Sequence, residues 1–341
     1  MKAAILTKFG SPEVFALGEV PRPEAQADQM LIKVAASGVC GHDLLNRAGH
    51  FPHTKTPSVM GHEIAGIVEE TGSLVTQFKK GDRVTVIQRL PCGTCYLCRA
   101  GKENVCGSGA GFYGEDISGG YGDYVIASEA NAVLVPDTIP LEVAAVLSCA
   151  LGTGYHALGR AQLKLGNSVL ITGASGGVGI HTVMLARLMG LKVFAVSSSA
   201  AKAERLYKAG ADEVIVAEDL NFHEQVKALT GIGVDAVIEI AGQPTFKSSV
   251  RCLKAGGRMV LVGNVEPGAV ALNPALAILK EIEFIGSGHA TLTDLKTVIE
   301  LVSEGKIVPE IAAQLPRDSV CEAHRMMESK QCVGRVVLVN K

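Results

Sequence analysis

The chain has 341 residues, 48% of them apolar and 19% charged, which is enough to bury a sizeable core and rules out disorder as its main theme. Lys plus Arg total 32 against 34 for Asp plus Glu, so a net charge of -2 gives nucleic acid or an anionic membrane no electrostatic hold, and a small molecule is the expected partner. Residues 1–10 lack a secretion signal and no uninterrupted apolar run reaches the roughly 18 residues of a spanning helix, so the expectation is a cytoplasmic chain with no membrane segment.

Up to about residue 135, Gly, Pro and short β-branched segments predominate, and 30–35, 63–69, 82–87 and 122–126 read as strands between turns. This half carries Cys92, Cys95, Cys98 and Cys106, spaced C-x2-C-x2-C-x7-C on the Gly-containing loop 91–107. Four thiolates on one turn-rich loop suit a tetrahedral Zn2+ and leave no open position, so the site is expected to be structural. A redox pair and an iron-sulfur cluster are the alternatives, and no cluster spacing fits. Nine cysteines without a secretion signal point to metal rather than to disulfides.

Three further candidate ligands lie apart. They are Cys40 in Gly38-Val39-Cys40-Gly41-His42-Asp43, His62 in Gly61-His62-Glu63, and Cys149 in Ser148-Cys149-Ala150. Singly, each has a bland explanation, because buried cysteines and hydrogen-bonded histidines are common.

From residue 168 the texture changes to alternating strand and helix. Short apolar runs at 168–172, 192–196, 213–216, 235–240, 258–262 and 283–285 predict six strands of one parallel sheet. Segments 178–189, 200–209, 222–229 and 245–254 have the helical spacing of its crossovers. The tail from 294 predicts two helical segments and a closing strand over 335–339.

The first strand of this half runs into Gly173-Ala174-Ser175-Gly176-Gly177-Val178-Gly179. Small residues at Ala174, Gly176 and Gly179 let the backbone approach a pyrophosphate at a helix N-terminus and let that helix pack on the sheet, so Ala174, Gly176, Gly177, Val178 and Gly179 are expected to bind a dinucleotide. At the end of the second strand Ser197, Ser198 and Ser199 precede Lys202, and the carboxylate that would select NAD(H) is missing. Serine hydroxyls with Lys202 favour the 2'-phosphate of NADP(H), the alternative being a solvated Lys202.

These ordered motifs, together with Cys149-Ala150-Leu151-Gly152-Thr153-Gly154-Tyr155, resemble the zinc-dependent medium-chain dehydrogenase/reductase family, that of the zinc alcohol dehydrogenases, over essentially the whole chain. The resemblance implies an α/β fold in which a Rossmann doubly wound parallel sheet is inserted in a β-rich GroES-like catalytic domain. Residues 1–150 and 289–341 would form the catalytic domain, 151–288 the dinucleotide domain, and the cleft between them the active site. It implies two Zn2+ per chain, with Cys40, His62 and Cys149 holding a catalytic ion that has one open position. Glu63 would lie beside the metal and Asp43 behind His62. Thr153, Gly263 and Asn264 would contact the nicotinamide, Arg335 would reach the pyrophosphate, and the chain would self-associate as a homodimer or homotetramer, through the segment near 269–285.

One position departs from the family's pattern. The second residue after the first cysteine ligand is commonly Ser or Thr, whose hydroxyl starts a proton relay, and here it is His42; a relay histidine that some members carry farther on is replaced by Leu45. His42 is expected either to take over proton transfer or only to line the pocket. His50 and His53 either line the substrate entrance or are solvated loop groups, and Cys252, Cys321 and Cys332 read as buried small apolar residues.

The implied reaction is hydride transfer between a nicotinamide cofactor and an alcohol, aldehyde or ketone, made possible because a three-ligand zinc favours an alkoxide or polarises a carbonyl. The alternative within the same superfamily is NADPH-dependent reduction of an activated C=C bond in an enoyl thioester, enal or quinone-like substrate. A catalytically idle nucleotide-binding sensor is a third reading, weakened by an open three-ligand site for which a sensor has no need.

Overall fold

The strand Gln29–Val39 is the spine of the first unit, because it pairs antiparallel with three others: Glu63–Thr71, Tyr124–Ser128 and, from the far end of the chain, Arg335–Val339. The computed structural model describes residues 1–266 and 268–340, and the chain forms two units, Met1–Gly152 with His289–Lys341, and Thr153–Gly288.

In the first unit the spine's sheet runs Ala132–Leu134, Arg83–Val86, Glu63–Thr71, Gln29–Val39, Arg335–Val339, Ile311–Pro316. Its apolar face, including Ile32, Ile64 and Val86, is closed to solvent. A small sheet joins Lys2–Leu6 to Phe15–Glu19 and Ser58–Val59, and Arg89–Leu90 pairs with Gly111–Phe112 at the two ends of the cysteine loop. The strand Ile311–Pro316, parallel to the closing strand, was not predicted. It is half-buried, alanine-containing and closed by a proline, so its alternation signal is weak.

The second unit holds a six-stranded sheet, all parallel, in the order Glu213–Val216, Lys192–Ser197, Ser168–Ile171, Val234–Glu239, Leu253–Leu261, Glu283–Gly286. Its central strands are mostly apolar, Val169–Ile171 and Ala236–Ile238 being fully buried between the flanking helices. Numbered in sequence that order is 3-2-1-4-5-6, the doubly wound arrangement expected for a dinucleotide fold. The crossover segment 200–209 opens with a single 3-10 turn, Ala200–Lys202, before the helix Ala203–Ala209, which ends at Gly210 with φ 111°.

A continuous helical stretch, Leu141–Ala161, corrects the reading of the membrane signal. It has 21 residues, and an 18-residue window within it has a mean hydropathy of 1.3, long and apolar enough to cross a bilayer by composition. It is also 72% buried inside the protein, as befits a core helix. No apolar run announced it because Glu142, Ser148, Thr153 and the glycines interrupt the sequence while the helix still buries most of its surface. Between its two α-helical parts, Leu141–Val146 and Gly152–Ala161, the five residues Leu147–Leu151 form a π-helical turn, a distortion that recurs at functional sites.

Candidate metal and nucleotide sites

The cysteine loop folds into a closed sulfur cage. Four Sγ–Sγ separations are 3.9 Å for Cys92–Cys98, 3.6 Å for Cys95–Cys98, 3.8 Å for Cys95–Cys106 and 3.7 Å for Cys92–Cys106. A tetrahedron with metal–sulfur bonds of about 2.3 Å has edges near 3.8 Å, so the four donors fit Zn2+ without rearrangement. Backbone N–H groups prepare the charge: those of Thr94 and Cys95 pull Cys92 down to about 6. Burial and the neighbouring sulfurs push Cys98 up to about 12, while backbone N–H groups of Cys92 and Ser108 bring Cys106 down despite its burial.

The π-helical turn carries Cys149 to within 3.9 Å of Cys40 Sγ, the same tetrahedral edge, although the two are 109 residues apart. Cys40 directly precedes the helix Gly41–Arg47, and His62 directly precedes the strand Glu63–Thr71. Gly61, at φ 95°, makes that entry possible, since a Cβ there would fall 2.5 Å from the Tyr121 ring. Ligand atoms of Cys40, His62, Glu63 and Cys149 all lie within 4.8 Å of one another, and all four residues are buried. Two sulfurs, one imidazole nitrogen and a movable carboxylate are a donor set suited to a zinc ion with an open position.

The surroundings tune these donors. Asp43 Oδ2 accepts from the Cys40 N–H at 2.8 Å while Oδ1 lies 3.2 Å from His62 Nδ1, so one carboxylate braces two ligands. Against burial, which lowers it, that carboxylate raises the basicity of His62. The Cys149 thiol, then Arg335 and His62, hold Cys40 well below the usual thiol range, despite its burial; Cys149 is pushed up in turn. Glu63 stands opposite Gly38 in the sheet, where a Cβ would fall 1.9 Å from its Oε2, so the glycine leaves the room this carboxylate occupies. Burial pushes Glu63 up to about 7, with Arg335 opposing.

Arg335 sits beside the metal group. Its Nη2 lies 2.9 Å from Glu63 Oε1 and 4.0 Å from Cys149 Sγ, and the side chain is buried. Its guanidinium is paired with the Glu63 carboxylate, which offsets part of the cost of burying it.

His42 stacks on Phe51 at 4.4 Å between ring centroids, lies 5.2 Å from the His62 ring, and pairs through Nε2 with Glu115. Phe112 faces His62 at 5.2 Å and His289 at 4.9 Å. Burial, reinforced by His42 and His62, pushes His289 down to about 3, so its imidazole is neutral. Glu115, Phe112 and His289 carried no local spacing signal, since Glu115 reaches His42 across 73 residues of sequence. His50 and His53 are exposed, and Cys252 is fully buried; Cys321 and Cys332 are only partly so, contrary to expectation, because they lie at the edge of the terminal helix's packing.

In the second unit the turn after Ser168–Ile171 has the geometry its glycines require. Gly173 adopts φ 57°, Gly176 precedes the helix Gly177–Leu188, and a Cβ at Gly179 would fall 2.2 Å from the Gly173 carbonyl oxygen. Ala174 and Val178 complete the turn and the first helical residues. Lys202 Nζ reaches Ser175 Oγ at 3.4 Å, so this lysine lies against the turn. Ser197 Oγ donates to the Ser199 carbonyl at 3.0 Å and accepts from its N–H at 3.2 Å, while Ser198 is exposed. Thr153 Oγ1 is buried without a hydrogen-bond partner, and a Cβ at Gly263 would fall 2.2 Å from the Ile240 carbonyl. Asn264 lies beside Gly242, which adopts φ 83°. Sequence gave no hint of Glu239, whose buried carboxylate accepts from Thr172 and Thr245 hydroxyls at 2.6 Å each, from the Gly242 N–H at 2.8 Å, and from Ser249.

Two family models match the chain: an alcohol dehydrogenase GroES-like domain over residues 26–137 and a zinc-binding dehydrogenase over residues 177–304. The acryloyl-coenzyme A reductase of Metallosphaera sedula is 38% identical over 339 residues, covering 99% of each chain. The NAD-dependent alcohol dehydrogenase of Saccharolobus solfataricus is 32% identical over 350 residues, covering 99% of this chain and 100% of that one. Among solved structures, AibC matches with a TM-score of 0.93 at 41% identity, covering 100% of this chain and 96% of the other.

Proposed function

This chain belongs to the zinc-dependent medium-chain dehydrogenase/reductase family and is an oxidoreductase, and we propose that within it the protein is an NADPH-dependent reductase of the activated C=C bond in an α,β-unsaturated thioester. The observation that carries this reading is the His42–Glu115 pair, set 5.2 Å from the His62 ring where alcohol-oxidising members commonly have a hydroxyl relay. Adding hydride to the β-carbon of an enoyl thioester leaves an enolate whose α-carbon must gain a proton, and an imidazole backed by a carboxylate is suited to give one. The relationship to a relative named acryloyl-coenzyme A reductase supports the same choice.

When bound, Zn2+ would supply Lewis acidity toward the thioester carbonyl and the reduced nicotinamide would supply the hydride. Cys40, His62 and Cys149 would hold the ion, and Asp43 fixes the orientation of the imidazole. Glu63, drawn toward Arg335, keeps a fourth donor in reserve. Phe51 stacks on the His42 ring and Phe112 packs against the same group of rings, which holds the proton donor in position. Thr153 offers its unpartnered hydroxyl to the nicotinamide, and Lys202 with Ser197, Ser198 and Ser199 favours NADP(H) over NAD(H).

An assay with NADPH tests the reading: coenzyme oxidation with crotonyl thioester, giving the saturated product, is expected, and oxidation only with a saturated aldehyde overturns it. His42→Ala should slow the thioester reaction and flatten its pH profile. The second reading, a zinc alcohol dehydrogenase or carbonyl reductase, is favoured by the complete Cys40, His62 and Cys149 ligand set with Asp43 behind it, which would serve a carbonyl equally well. Self-association belongs to either reading. The edge strand Glu283–Gly286 and the exposed Ile278 and Leu279 of the helix Pro274–Lys280 offer a surface to a second copy.

A further inference from the structure

The antiparallel pair of Arg89–Leu90 with Gly111–Phe112 sets Arg89 directly across from Phe112, and its guanidinium lies 5.9 Å from that ring's centre. On the same side is a cavity of about 320 Å³, lined by Arg89, His53, Glu115, Asp116, Ala110 and glycines of the loop that follows Cys106. It adjoins the metal group through two residues already described: Glu115, which pairs with His42, and Phe112, next to the lining Gly111 and 5.2 Å from the His62 ring.

The two acids of the lining have partners of their own. Glu115 is turned to His42, and Asp116 Oδ2 accepts the Phe112 N–H at 2.8 Å. Asp116 also packs down on Gly111, where a Cβ would fall 2.4 Å from it. Arg89 donates from Nη1 to the Cys106 carbonyl at 3.1 Å, but its Nε–H is buried and has no acceptor. A buried, charge-bearing donor without a partner is rare in native structures and asks for one from outside. The planar guanidinium fork matches the two oxygens of a carboxylate or phosphate, and the loop glycines allow a ligand to approach the backbone.

We infer that this cavity is an oxyanion subsite: it takes a phosphate or carboxylate of the substrate remote from the reacting double bond, and Arg89 selects for it. The inference rests on the enoyl-thioester reading and adds to it which part of the substrate is recognised, through a residue outside the Cys40, His62 and Cys149 group.

Saturated thioesters bind without reacting, so calorimetry can read the subsite apart from turnover. The probes are butyryl-pantetheine, which has no anion, butyryl-coenzyme A, which has phosphates, and glutaryl-pantetheine, which has a terminal carboxylate. One of the two anionic probes should bind the NADP-loaded protein at least about tenfold more tightly than butyryl-pantetheine, as one charge-assisted contact allows. In Arg89→Gln that advantage should fall to about twofold or less. Because Arg89 also supports the Cys106 loop, a second variant, Ala110→Glu, which adds a negative charge to the rim, should reduce the same ratio.

Loss confined to butyryl-coenzyme A assigns the site to phosphate, and loss confined to glutaryl-pantetheine assigns it to carboxylate. Equal binding of all three probes, no binding of any, or an anionic advantage that survives both variants overturns the subsite. The parent reading fails by a different result, the absence of NADPH oxidation with every enoyl thioester, whatever the calorimetry shows.

Discussion

Arg335 Nη2 lies 2.9 Å from Glu63 Oε1 as an ion pair, and the two side chains are 2% and 0% exposed. Glu63 also belongs to the metal group, so this ion pair fixes how far the carboxylate can swing toward the metal position. Removing one member of a buried pair leaves the other uncompensated, at about 3–5 kcal/mol. Arg335→Met should therefore lower the urea unfolding free energy of the metal-loaded protein by about that amount, and adding Glu63→Leu should restore a good part of it. A single variant with an unshifted midpoint would contradict the pairing.

The nucleotide turn makes a separate prediction. Lys202 reaches Ser175 at the turn, so Lys202→Ala should raise the Kd for NADPH roughly tenfold while changing that for NADH by about twofold or less, measured by nucleotide fluorescence. Equal weakening of both coenzymes would mean that Lys202 recognises something other than a 2'-phosphate.

The sulfur cage predicts the effect of losing a ligand. Cys98 lies 3.6 Å from Cys95 and 3.9 Å from Cys92, so Cys98→Ser removes a corner of the tetrahedron. Metal analysis should find two zinc ions per chain in the parent and one in the variant, with a fall in thermal midpoint of several degrees or more and NADPH affinity retained. A variant that keeps both ions at full stability would show that the quartet holds no metal.

Acid stability should depend on Asp235. Against its partial burial, Lys254 together with the Ser168 N–H and hydroxyl holds its carboxyl below the ordinary 3.8. As pH falls the unfolded chain takes up the proton first, so the contribution is complete above the ordinary value and is lost as pH drops through the lowered folded one. With the pair partly solvated, the gap in unfolding free energy between the parent and Asp235→Asn should be about 1 kcal/mol near pH 7 and shrink as pH falls below the ordinary 3.8 and through the lowered folded value. A gap independent of pH would contradict the assignment.

Much of this was legible in the sequence because its signals are local. The ends of the sulfur cage, Cys92 and Cys106, are only fourteen positions apart on one loop, and the glycine turn lies between one strand and one helix, so spacing alone states both geometries. The parallel sheet was legible for a related reason, since strands buried on both faces must be continuously apolar. The catalytic trio could be reached only through resemblance, because Cys40 and Cys149 meet only when a π-helical turn inside a long buried helix brings them together. The pairing of Arg335 with Glu63 and the role of Glu115 were beyond reach, because each partner lies far away in sequence and nothing near either residue names it.

The central claim is that hydride goes to carbon in a C=C bond rather than to a carbonyl carbon. Its most direct test is turnover of NADPH deuterated at nicotinamide C4 on the transferred face, with an enoyl thioester, followed by NMR of the product. The account predicts a saturated thioester carrying one deuterium on the β-carbon and one solvent proton on the α-carbon. Deuterium on a carbinol carbon, with the double bond intact, would contradict it.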